Sequence, residues 1–161
     1  MTINPALIAL FTNRAVQQNR VTDIALTDSV LTIHLEPNVA SQYVRPDCQE
    51  PVSVQPHDSE VITVQGLGVQ GRALRYSVTS RRVAYTNDAG KFVTFTLPVP
   101  GIRTDLLVTD EVVEKALYLI VDRNLSLPVT AEMLNELDQV QTSSSALERW
   151  KTSEAEQLPS I

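Results

Sequence analysis

The chain has 161 residues, 43% of them hydrophobic and 20% charged, with a formal net charge of −6, one cysteine and two histidines. That is enough apolar material for one main core and too much for wholesale disorder. A lone cysteine excludes an intrachain disulfide, and with two histidines it excludes a zinc site of four Cys/His ligands. No stretch approaches the roughly 18–20 apolar residues that span a bilayer, and the apolar start at residues 6–11 lacks the basic flank of a secretory signal. The expectation is therefore a soluble, cytoplasmic chain with no membrane partner.

Asn4 before Pro5 reads as a helix start, a capping side chain followed by the one residue whose missing N–H costs nothing in the first turn. Leu7, Leu10, Phe11 and Ala15 then recur at helical spacing, which predicts a short helix over about residues 5–18. Residues 21–26 and 30–36 flank Thr27, Asp28 and Ser29, a half-buried hairpin with Leu31, Ile33 and Leu35 inward and His34 outward. Residues 37–60 contain Pro37, Pro46, Pro51 and Pro56, and read as an irregular excursion with one short extended piece.

Strand character returns at residues 61–65, around Leu74, Tyr76 and Val78, at Val83 and Tyr85, and at residues 92–97. Asn87, Asp88, Ala89 and Gly90 make a hairpin turn, since these residues tolerate positive φ. The buried parity changes from even at Val78 to odd at Val83, which predicts a turn or bulge near residues 79–82.

Pro98, Val99, Pro100 and Gly101 interrupt the pattern and divide a β-rich unit, residues 1–98, from an acidic helical region and tail, residues 105–161. Thr109 is positioned to cap a helix with Asp110 and Glu111 in its first turn. A loop over residues 125–128 leads to Thr130, a second cap, and a marginal third helix over about residues 145–156 rests on Leu147 and Trp150. The class expected is α+β: a short N-terminal helix, an antiparallel sheet or small barrel in the middle, and two to three helices at the end.

No motif carries catalysis. Gly66, Gly68 and Gly71 spell GxGxxG after a strand, but a strand-like alternation follows where a dinucleotide site needs a helix, so a glycine-rich turn or bulge is expected. His57, Asp58 and Ser59 are adjacent and cannot converge as a triad. Asp110, Glu111 and Glu114 read as helix-capping acids, and Cys48 as an incidental thiol. The last two helices have helix-turn-helix spacing, but residues 105–161 sum to −7, the wrong sign for phosphate.

Charge is the remaining lead. Residues 66–103 hold six cations and one acid, a net of +5, between ends of −4 and −7. Arg72, Arg75, Tyr76, Arg81, Arg82, Tyr85 and Lys91 form the candidate interaction face. The leading expectation is a non-enzymatic structural or adaptor subunit of a larger homo- or hetero-oligomeric assembly, docking the basic β-face on acidic helices. A virion or tail-like machine put together in the cytoplasm is one such setting. The alternative is a nucleic-acid-binding module using the same cations and rings. The bland reading makes the rings core and the arginines a solvated face. No catalytic residue, cofactor or metal is expected.

Overall fold

The computed structural model describes residues 13–37, 42–44 and 51–157. The predicted cap at Asn4 and Cys48 lie outside them. Within the described residues the first helix is α1, Arg14–Gln18, capped by Asn13, whose Oδ1 accepts from the Ala15 N–H at 3.0 Å. Asn19 then donates to the carbonyls of Ala15 and Pro100, at 2.9 and 2.8 Å, and so ties the helix end to the proline segment.

The hairpin follows as β1, Arg20–Leu26, and β2, Val30–Glu36, with Leu31, Ile33 and Leu35 buried as alternation required. A small separate ladder joins β3, Gln42–Val44, to β4, Pro51–Ser53. Then come two 15-residue strands, β5, Gln55–Val69, and β6, Arg72–Thr86, joined by Gln70 and Gly71, both at positive φ. Two such residues match the right-handed twist of a hairpin. The glycine-rich stretch is thus a bulge and turn, as expected, and β5 carries an extra residue between Gly66 and Val69. β7, Phe92–Thr96, returns antiparallel on β6.

The sheet has seven strands in the order β1-β2-β6-β5-β9-β8, where β8 is Ile102–Arg103 and β9 is Val108–Thr109, while β7 shares the β2 side of β6. It is mixed and does not close into a barrel. β2 runs parallel to β6, and β5 pairs parallel with β9 at Gln65 and Val108. This corrects the antiparallel expectation. Alternating apolar residues specify which face a strand buries, not which neighbour it finds or in which direction.

Two further expectations change. Residues 55–60, read as irregular, belong to β5; Pro56 is tolerated because, among the described residues, this part of the strand pairs on one side only. The parity change near residues 79–82 leaves β6 unbroken: the extra residue is His57, in the strand opposite Arg82 and Val83.

One apolar cluster lies on the sheet face covered by α1 and the proline segment, and includes Ala15, Ile33, Val64, Tyr76, Val99 and Ile102. A second lies among the helices: α2, Asp110–Leu117, a π-helical turn at Tyr118–Asp122, α3, Leu127–Asp138, and α4, Ser144–Gln157. Leu147 and Trp150 anchor α4 there, as predicted. α3 is capped by Ser126 and not by Thr130, because Pro128 fits the first turn; Thr130 is buried and its hydroxyl donates to the Ser126 carbonyl at 2.9 Å. Among the described residues no helix is long and apolar enough to cross a membrane.

Candidate functional site: the outer edge of the long hairpin

The seven residues singled out by charge do not share a surface. Successive side chains of a strand point to opposite faces, so Arg81 and Arg82 diverge. Arg81 lies 3.6 Å from Glu36, which also holds Arg20, on the face away from the core. Arg82 lies on the other face, 3.4 Å from Asp58 and donating to Thr94 Oγ1 at 2.9 Å. Arg72 donates to the Thr27 carbonyl at the β1–β2 turn. Arg75 reaches the carbonyls of Leu74 and Gln139, and its partial burial lowers its pKa. Lys91 sits in the distant β6–β7 turn, exposed. Tyr76 and Tyr85 are 0% and 6% exposed, so neither ring offers a face to a base.

What the fold does assemble is an arm. The first half of β5 pairs with β6 on one side, and among the described residues it has no strand on the other until Gln65 meets Val108. Residues 55–61 are exposed without a break, Val61 to 68%. Ring contacts brace the arm: His57 against Phe92 at 5.8 Å and Tyr85 against Phe95 at 6.1 Å, both edge-on.

Beside this edge is a groove of about 430 Å³, floored by Ile62, Ser80 and Thr96 and walled by Asp58, Glu60, Arg82, Thr104 and Asp105. Asp58, Glu60 and Ile62 line it together because a strand repeats every two residues. Its three carboxylates face one guanidinium. Arg82 engages Asp58, while Asp105 pairs with Arg103 at 3.3 Å; Glu60 has no ion pair with any described residue. The sequence places Ile62 in a strand but leaves Asp58 and Glu60 in the proline-rich excursion, because four prolines hide the strand's first half. The i, i+2 spacing of Asp58, Glu60 and Ile62 was the available signal.

A second polar cluster joins α1 to α2. Arg14 Nε lies 3.2 Å from Glu111 and Nη2 lies 2.5 Å from Glu114. Beneath it the Tyr76 hydroxyl is buried with no hydrogen-bond partner among the described residues, its pKa raised by burial and by the negative charge of Glu111. Asp110 is raised by burial too, with Glu111 and Glu114 adding to the shift and Arg14 and Arg103 opposing it. These contacts fasten the two helices. Among the described residues no three His, Cys, Asp or Glu side chains group to hold a metal ion.

No known family model, curated protein or solved structure matches the chain.

Proposed function

We propose that the chain is a non-enzymatic docking subunit of a larger protein assembly, which it joins by adding a partner's strand to the outer edge of β5. The observation that carries this reading is the run of exposed residues 55–61 in a strand that, among the described residues, is paired on one side. Such an edge presents a row of backbone donors and acceptors, a ready template for another chain. The arginines contribute as braces rather than as one basic face. Arg82 holds Asp58 across β5 and β6, and Arg81 with Glu36 holds β6 beside the first hairpin, so the edge is presented on stiffened strands. Ordering cost on association falls when a surface is rigid beforehand.

Sedimentation tests the reading directly. A tagged copy in fresh extract of the cells that make this chain is expected to run in a complex far larger than the 17.8 kDa monomer. A monomer peak at physiological salt would refute the assembly role.

A further inference from the structure

We infer that the occupant of the β5 edge is an extended basic segment of a different protein, laid along residues 58–64 with lysine or arginine at alternating positions over the acidic groove. The inference rests on the strand-addition reading above and specifies its partner.

The edge itself sets the occupant's length. On one side Pro56 and the bulge at His57 break the ladder, and on the other the edge is taken at Gln65 by Val108. About seven residues lie between. A strand of that length sits in the ordinary range for an added β-segment.

Charge sets its composition. Asp58 and Glu60 point to the groove face two residues apart, about 6.6 Å along the strand, and Asp105 stands on the opposite wall. Arg82 offsets Asp58 and Arg103 offsets Asp105, which leaves Glu60 as the acid with no ion pair among the described residues. Side chains directly opposite on neighbouring strands approach to about 5 Å, so a strand added to β5 brings its own groove-face residues over Asp58 and Glu60. Cations at alternating positions meet them, and Glu60, unpaired among the described residues, gains its first partner.

The outer face sets the intervening positions. There Ser59, Val61 and Thr63 alternate, with Val61 68% exposed. A β-branched residue opposite Val61 covers it. The occupant thus alternates basic and β-branched residues.

A second copy of this chain fits worse. Antiparallel pairing of two β5 edges over residues 58–64 would set Glu60 opposite Ile62 and bring the two Glu60 carboxylates together on the diagonal, with no cation on either edge strand's groove face to meet them. These acids, with Pro56 and the bulge, are the features by which natural edges avoid their own kind. They leave the edge open to a cationic strand.

The test uses the full chain and a seven-residue peptide of alternating lysine and valine, acetylated and amidated, titrated at about 50 mM salt so that screening is weak. Backbone amide NMR shifts are expected to move at residues 58–64. Affinity should fall at least about tenfold for the same peptide with glutamate replacing lysine, for one N-methylated on alternate backbone amides, and for the Asp58→Asn, Glu60→Gln double variant. Both substitutions are on exposed side chains, and the amide spectrum verifies that the variant is folded. Absence of binding, shifts mapping elsewhere, or equal binding of the N-methylated peptide overturns the inference. A null titration beside a fast-sedimenting complex removes the basic strand alone; a monomer in the extract removes the assembly role whatever the peptide does.

Discussion

Gly101 runs against Ala15 so closely that a Cβ on it would stand 2.8 Å from the Ala15 amide nitrogen, and its φ of +80° is one that side chains resist. This contact seats α1 on the sheet, because Gly101 lies in the segment that carries Val99 and Ile102 into the core. Gly90 has nearly the same φ, +78°, with open space where its side chain would be. The pair separates strain from crowding. Gly90→Ala is expected to cost about 1 kcal/mol, the penalty of the left-handed backbone alone. Gly101→Ala adds an overpacking penalty and should cost about 3 kcal/mol. Urea denaturation of both variants checks this; equal midpoints would mean that the close approach contributes nothing.

Tyr76 places a hydroxyl in the core with no partner among the described residues. A buried donor left unsatisfied costs about 1–3 kcal/mol. Tyr76→Phe removes the cost and keeps the ring, so the variant should equal or exceed the parent in stability. Tyr76→Ala, which leaves a cavity, should lose about 3–5 kcal/mol. A marked loss in the phenylalanine variant would show that the hydroxyl is bonded in solution.

Asp110 gives a signed dependence on pH. Burial holds its pKa above the ordinary aspartate value, so as pH falls the folded protein takes up this proton before the unfolded chain does. The ionised carboxylate therefore detracts from stability at neutral pH, and that penalty shrinks as pH drops through the raised value and is gone below the unfolded value of about 3.9. Asp110→Asn should melt higher than the parent at pH 7, with the gap closing toward pH 4. Thermal denaturation at both pH values decides it, and a lower melting point for the variant at pH 7 contradicts it.

The pair Arg14 and Glu111 is part-exposed and solvent-screened, so its coupling is small. A double-mutant cycle with Arg14→Ala and Glu111→Ala should return about 0.5–1 kcal/mol, declining with added salt. A coupling near zero at low salt would show that the Arg14–Glu111 side-chain pair contributes nothing to seating α1.

Periodicity made much of this fold legible. The inward set Leu31, Ile33 and Leu35, the Asn87 to Gly90 turn, the acids at the start of α2 and the Trp150 anchor of α4 all follow from spacing and local chemistry. Local conformation depends on neighbours within a few residues, which a single sequence displays. The β5 arm was hidden for a local reason as well: Pro56 argues against a strand unless one side is unpaired, and whether a strand has one neighbour or two is a tertiary matter.

The same division applies to charge. Counting cations located the basic middle, but adjacency in sequence sends Arg81 and Arg82 to opposite faces, and the acids that meet them, Glu36 and Asp58, lie 45 and 24 residues away. Sequence by itself determined the inward residues of β2, the turn at Asn87 to Gly90 and the anchors of α4, since hydrophobic pattern and turn chemistry are short-range. Tertiary structure alone decided the parallel pairing of β2 with β6, the pairing of the β5 arm with β6 and the acidic groove beside it, because strand neighbours are chosen by long-range packing that no local pattern encodes.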